Sequence, residues 1–285
     1  MKVLFVGGGN MAQAIMGGLI AQKTPPEDFR VIDPVAEIRA TISTLGVNAA
    51  AALTSDGLDA DVIVLAVKPQ MMREAIAPIA GSLTNQLVIS IAAGVDTRSL
   101  AIWLGTSAQP YQNIVRTMPN TPALIRAGIT GLYALPTVSA GHRQIAESLL
   151  GAVGKTVWFS EEAMLDAVTA VSGSGPAYVF YFMEALEEAA LELGFAPDAA
   201  RLFASQTFAG GTQLAMASND PPSVLRARVT SKRGTTESAI ASFDEHGLKK
   251  AFIAGVKAAC ARSHELGREL GATDTTPRDT ARSSS

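Results

Sequence analysis

The sequence predicts an α/β chain in two parts: a doubly wound, mostly parallel sheet over residues 1–159 and an all-helical half over 160–271. Three observations carry that prediction. Short apolar runs recur in the first half, at Val3–Val6, Phe29–Ile32, Val62–Val67, Leu87–Ile91, Ile114–Thr117, Gly131–Ala134 and Thr156–Phe159. Apolar residues at helical spacing fill the early gaps, near Met11–Gln22, Ala36–Leu45, Gln70–Ala80 and Thr97–Leu104. Strand–helix alternation of this kind gives parallel strands with helices on both faces. From about residue 160 only helical patterns remain: Glu161–Val171, Pro176–Leu193, Pro197–Ser218, Ser223–Val229, Thr236–Glu245 and Leu248–Leu270.

Val3–Val6 is apolar without alternation, as a strand buried on both faces should be. Gly7-x-Gly9-x-x-Ala12 follows and opens the helical pattern Met11, Ile15, Met16, Leu19. This is the dinucleotide fingerprint with Ala as its third small residue. Gly7 makes the turn, Gly9 lets backbone approach a pyrophosphate, and Ala12 allows close helix–strand packing. Gly8, Asn10 and Met11 belong to the same turn. The next strand, Phe29–Ile32, ends in Asp33, the acid that in this fold takes a ribose 2′-hydroxyl and repels a 2′-phosphate. Lys2 before an apolar stretch also suggests a secretory leader, but Asn10 and Gln13 interrupt the stretch and no cleavage site follows.

Composition bounds the rest. The 285 residues are 48% hydrophobic and 17% charged, which suits a folded protein with a sizeable core. Net charge is −3, with no basic cluster to suggest nucleic acid and no apolar run of membrane-spanning length. Cys260 is alone, so no intramolecular disulfide is possible, in keeping with a reducing cytoplasm. His142, His246 and His264 lack ligand spacing, and no metal site is expected.

The strand-end loops are small or glycine-rich where ligands bind in such sheets. Ala66-Val67-Lys68-Pro69 ends one run, Ser90-Ile91-Ala92-Ala93-Gly94 the next, and Arg116-Thr117-Met118-Pro119-Asn120-Thr121-Pro122 the one after. Each also reads as plain turn chemistry, and Lys68 as a phosphate contact, an ion-pair partner or a catalytic ammonium. Two hydroxyl-rich helix starts lie in the helical half. Val171-Ser172-Gly173-Ser174-Gly175-Pro176 leads into the run Ala177–Leu193, with Ser174 as a possible N-cap. Thr230-Ser231-Lys232-Arg233-Gly234-Thr235-Thr236 leads into Glu237–Phe243, with Thr235 or Thr236 as cap. Two such starts suit one small anion. The helical half is apolar around much of its circumference: Tyr178–Phe182 and Phe203–Ala217 carry few charges. Helices of that kind are expected to be buried against another subunit. Residues 272–285 contain no large apolar residue and are expected to be disordered.

Together GGGNMA, AVKPQ, SIAAG, RTMPNTPA, AVSGSGPAYVF and VTS–GTT, in this order, resemble pyrroline-5-carboxylate reductase over residues 1 to about 270. The resemblance implies reduction of 1-pyrroline-5-carboxylate to L-proline, the last step of proline biosynthesis. It implies a Rossmann domain followed by a helical dimerisation domain, and homodimers that can assemble into decamers. It places the cofactor on Gly7, Gly8, Gly9, Asn10, Met11 and Ala12. The nicotinamide falls near Ala66, Val67, Lys68, Pro69, Ala92, Ala93, Gly94 and Asn120. It assigns the substrate carboxylate to Ser231, Gly234 and Thr235 with Ser174 and Gly175, and the ring nitrogen to the Thr236 hydroxyl. It favours NADPH, with NADH usable; Arg30 or Arg39 would then meet the 2′-phosphate while Asp33 turns away. One departure stands out: where the family has Pro-Gly-Gly or Lys-Gly-Gly, this chain has Lys232-Arg233-Gly234. The Arg233 guanidinium either meets the carboxylate or points to solvent. The 3-hydroxyacid and 6-phosphogluconate dehydrogenases share the two-part plan but use a Lys from the helical half, and none occurs between Lys155 and Lys232. A non-catalytic nicotinamide-cofactor sensor would have no use for Thr236 and the SGSGPAY loop.

Overall fold

A computed structural model describes residues 1–54 and 58–272. Most of the tail expected to be disordered, 272–285, lies outside the described residues. Val3–Val6 forms β1 at the middle of a sheet, with Phe29–Ile32 (β2) and Asn48–Ala50 (β3) on one side. On the other side follow Val62–Leu65 (β4), Leu87–Ser90 (β5), Ile114–Met118 (β6), Gly128–Ala134 (β7) and Gly154–Trp158 (β8). The order β3-β2-β1-β4-β5-β6-β7-β8 reverses direction between β1 and β4, the switch point of a doubly wound sheet. Pairing is parallel throughout except between β6 and β7.

Each central strand is buried on both faces, which is why it reads as an unbroken apolar run. On β1, Val3 and Phe5 join one core layer with Ala12, Ile15 and Met16 of α1 (Asn10–Ala21). Leu4 and Val6 join the other, with Met72 and Ile76 of α3 (Met72–Ile76) and Leu100 of α4 (Thr97–Leu104). Helix α2 (Ala36–Ser43) follows β2, and α5 (Ala140–Gly151) joins β7 to β8.

Several boundaries differ from the sequence expectation. Strand β4 stops at Leu65, so Ala66 and Val67 are already loop. The stretch Gln70–Ala80 is a turn of 3₁₀ helix, the short α3 and a second 3₁₀ turn over Ala77–Ile79, because Pro78 has no N–H to continue an α-helix. The segment expected as one helix over Glu161–Val171 is α6 (Met164–Val168) followed by a π-helical turn, Thr169–Gly173. Strand β3 and helix α5 were absent from the expected elements.

The chain divides into two compact units, Met1–Gly173 with the chain from Ala259 on, and Ser174–Ala258. The composition changes at about residue 160, whereas the division falls after the π-turn. The second unit holds α7 (Gly175–Glu192), α8 (Pro197–Met216), α9 (Pro222–Arg228), α10 (Thr235–Glu245) and the first part of α11 (Leu248–Ala272). Tyr178 of α7 meets Phe252 of α11 edge-on and Phe182 meets it at a tilt, with ring centroids 5.7 and 5.6 Å away. Yet among its described apolar residues only Ala200 and Ala204 are buried, while Phe180, Tyr181, Leu202, Phe203, Leu214 and Met216 are each at least 60% exposed. Such helices do not close a core within one chain. Among the described residues no helix is long and apolar enough to cross a membrane.

Candidate active site

The turn after β1 is built for close approach. Gly7 has φ +98°, and a Cβ there would lie 2.6 Å from the Ala66 carbonyl oxygen, so the first residues past β1 and β4 touch across the switch point. Gly9 occupies the N-cap of α1 without a side-chain cap bond, and a Cβ built on it meets nothing within 4 Å. No side chain caps the first turn of α1, whose N–H groups have no partner within the helix, which fits a pyrophosphate. Gly8 is buried beneath this turn, Asn10 is exposed, Met11 is half-buried, and Ala12 packs in the core.

Asp33 lies just past β2 and points inward. Its Oδ2 accepts from the Gly8 N–H at 2.8 Å and its Oδ1 from the Val35 N–H at 2.9 Å. Both carboxylate oxygens are thus engaged in holding the glycine turn, and Asp33 is 6% exposed. Arg39 Nη1 donates to the Asp33 carbonyl at 2.8 Å, and Gln13 Nε2 to the Gly8 carbonyl at 2.8 Å. Arg30, the other cation considered for a 2′-phosphate, sits near the start of β2 in a groove with Lys2, Glu27, Asp28 and Asp59, at the opposite edge of the sheet.

The remaining strand-end loops gather at the same carboxyl edge as Gly7. Ala66, Val67 and Pro69 are half-buried and Lys68 is exposed. Ala92 and Gly94 are buried and Ala93 half-buried past β5, with Gly94 at φ +75° in a turn that favours glycine. Asn120 follows β6, but its side chain is employed internally: Oδ1 accepts from the Ile129 N–H at 2.9 Å and Nδ2 donates to the Ser172 carbonyl at 3.2 Å. It staples the π-turn to β7.

In the helical unit, Ser174 stands at the N-cap of α7 and Gly175 opens the helix, but Ser174 makes no side-chain cap bond. The N-cap of α10 is Gly234, so Thr235 and Thr236 are its first two helical residues and neither hydroxyl caps it. That corrects the expectation of a threonine cap. The Gly234 N–H closes a turn onto the Ser231 carbonyl at 3.0 Å, and Arg233 takes the left-handed conformation, φ +61°. The backbone here keeps a shape that glycine favours despite the arginine.

Sequence reasoning missed a buried charge cluster beside this edge. Arg116 Nη1 on β6 lies 3.0 Å from Glu162 Oε1 and its Nη2 3.8 Å from Asp166 Oδ1. Glu162 also accepts from the Thr97 N–H and hydroxyl at 2.7 and 2.6 Å. Asp166 accepts from the Ser263 hydroxyl at 2.7 Å and faces His264 Nδ1 at 3.0 Å. Arg116 appears in the RTMPNTPA motif, but its partners, 46 and more residues away, carry no local signal.

An uncapped helix start at the switch point of a doubly wound sheet, followed by an apolar helical unit, fits a dinucleotide-binding protein. Residues 162–266 match the family model of pyrroline-5-carboxylate reductase dimerisation, and residues 2–94 that of NADP oxidoreductase, coenzyme F420-dependent. The chain is 46% identical to the pyrroline-5-carboxylate reductase of Pseudomonas aeruginosa, over 95% of this chain and 98% of that one. It belongs to the pyrroline-5-carboxylate reductase family. Its fold is similar to a solved pyrroline-5-carboxylate reductase from Coxiella burnetii (TM-score 0.85, 40% identity, 93% of this chain and 98% of that one). It is also similar to the Plasmodium falciparum pyrroline carboxylate reductase solved with NADP bound (TM-score 0.82, 27% identity, 94% and 98%). The matched dimerisation region and its exposed apolar helices make the protein a homo-oligomer.

Proposed function

We propose that this chain reduces 1-pyrroline-5-carboxylate to L-proline, the last step of proline biosynthesis, with NADPH as hydride donor and NADH as a usable second. The observation that carries the reading is likeness to the reductases along nearly the whole chain, with an uncapped helix start at the glycine turn after β1. When bound, the cofactor supplies a hydride from nicotinamide C4. Gly9 and the first-turn N–H groups of α1 hold the pyrophosphate. Asp33, engaged with Gly8 and Val35, leaves the 2′ position to Arg39 at the same edge. Ala66, Val67, Lys68, Pro69, Ala92, Ala93 and Gly94 border the nicotinamide, with Asn120 supporting the region from behind.

Ser231, Gly234 and Thr235, with Ser174 and Gly175, bind the substrate carboxylate. The Thr236 hydroxyl, not required as a cap, hydrogen-bonds the ring nitrogen. A protonated cyclic imine is already electrophilic at C5, so the chain need only position it, at roughly 3–3.5 Å from the donor carbon, and exclude water. Hydride adds to C5, the C=N pair moves onto nitrogen, and the proton already there stays as the amine proton of proline. We further propose a homodimer through the helical unit, assembling to a decamer, in the cytoplasm.

The test is Thr236→Ala beside Thr236→Ser, assayed with pyrroline-5-carboxylate and NADPH and, as a control, with a 3-hydroxyacid and NADP⁺. The Ala variant should lose about ten- to a thousand-fold in kcat, the span for one hydrogen bond to the reacting group, with unchanged melting temperature and NADPH affinity. The Ser variant should regain most of the loss. Wild-type kcat/KM in the Ala variant would remove Thr236 from the mechanism, and turnover of the hydroxyacid alone would overturn the substrate.

A further inference from the structure

Arg233, where the family resemblance implies a glycine, stands at φ +61°, where an L-residue's Cβ crowds the following carbonyl. A device that holds it there is visible. The Arg233 backbone N–H donates to Glu237 Oε2 at 2.6 Å. Glu237 is the third helical residue of α10 and Arg233 the residue before its N-cap, so the carboxylate reaches back over the helix start, one position further than in a capping box. Downstream, the Gly234 N–H is tied to the Ser231 carbonyl at 3.0 Å, and a Cβ on Gly234 would lie 2.4 Å from Ser231 Oγ. The loop is therefore pinned at two successive N–H groups, one by the Ser231 carbonyl and one by the Glu237 carboxylate. Those pins set the direction of the next donors, the Thr235 and Thr236 N–H groups, and of the Thr236 hydroxyl.

We propose that Glu237 is a positioning residue for the substrate, holding Arg233 in the left-handed conformation so that the loop Ser231–Thr236 keeps its binding shape; this rests on the reading that the loop binds the substrate carboxylate. Glu237 does not touch substrate. It takes over the conformational work that glycine does unaided at this position. Its side chain needs only an acceptor oxygen, so glutamine serves as well as glutamate, whereas alanine releases the N–H to water and lets the loop relax.

The experiment measures KM for pyrroline-5-carboxylate, kcat and NADPH Kd in Glu237→Gln, Glu237→Ala, Arg233→Gly, the double variant Arg233→Gly/Glu237→Ala, and Gly234→Ala. Glu237→Ala should raise KM roughly five-fold, in the range for one partly solvated charge-assisted hydrogen bond, with kcat and NADPH Kd near wild type. Glu237→Gln and Arg233→Gly should stay within about two-fold of wild type. In the double variant the effect of removing Glu237 should shrink to about two-fold, because glycine enters φ > 0 unaided. Gly234→Ala, which pushes directly on Ser231, should raise KM whether or not the clamp matters. If Gly234→Ala raises KM and Glu237→Ala does not, the clamp is wrong and the loop reading stands. If neither raises KM, the loop does not bind the substrate. An equal penalty for Glu237→Ala with Arg or Gly at 233 would also overturn the clamp.

Discussion

The Ser263 hydroxyl donates to Asp166 Oδ1 at 2.7 Å, joining α11 to α6 across 97 residues of sequence. Asp166 is the hub of that join, because the same carboxylate lies 3.8 Å from the buried Arg116 guanidinium and 3.0 Å from His264 Nδ1. Its removal strands a buried cation on Glu162 alone. Asp166→Ala should lower the free energy of unfolding by about 3 kcal/mol, as for one partner of a buried ion pair, and Asp166→Asn by less, since the amide oxygen still accepts from Ser263. Urea denaturation gives the size, and amide exchange at Ser263–Gly267 gives the place. Unchanged exchange there in the Ala variant would mean that α11 is held by packing alone.

Asp33 separates two explanations of cofactor choice. Because its oxygens hold Gly8 and Val35, Asp33→Asn should loosen the glycine turn and weaken NADPH and NADH by similar factors. An acid that bound the ribose would instead be missed mainly by NADH. Arg39→Ala should weaken NADPH about ten-fold, the loss of one charge-assisted contact, with NADH nearly unaffected. Titrating the four combinations by fluorescence decides, and a selective NADH loss in Asp33→Asn would restore the ribose role.

Leu202 on α8 is 65% exposed in the single chain. On a face open to water, Leu202→Glu would be nearly silent; on a face buried between copies it places an unpaired charge out of water. The variant should dissociate at micromolar concentration, as read by light scattering. A wild-type mass for the variant would move the contact to another part of the helical unit.

Tyr111 gives a pH signature. Burial pushes its phenol up to about 12, partly opposed by Asn113, and its hydroxyl donates to the Gln86 carbonyl. The unfolded chain ionises at about 10. The folded state thus binds this proton more tightly, and the stability it contributes is complete below pH 10 and lost as pH rises toward 12. Absorbance at 295 nm should show one of the four tyrosines ionising late. A late step that survives in Tyr111→Phe would reassign it.

How much could be read beforehand varied with the kind of signal. The fold and the Gly7–Ala12 turn were legible because burial on both faces and close backbone approach restrict residue type locally. Strand β3 was not: Asn48, Ala49 and Ala50 carry no large apolar side chain, and only pairing with β2 makes them a strand. Helix α5 had readable signs, Ser139 accepting from the His142 N–H and an apolar stripe at Ala146, Leu149 and Leu150, but its many polar residues hid them. The direction in which Asp33 points, the spent side chain of Asn120 and the partners of Arg116 depend on residues far along the chain or on backbone geometry. Local sequence does not encode them.

The first unit is completed by the last part of the chain, from Ala259 on, with the helical unit inserted before it. Synthesis therefore delivers the sheet with Asp166 and Arg116 long before Ser263. At about 5–20 residues per second, the 97 residues from Ala167 to Ser263 take roughly 5–20 s to be made. During that interval the nascent sheet holds a charge cluster lacking one of its hydrogen-bond donors. Its final closure waits until Ser263 has been made.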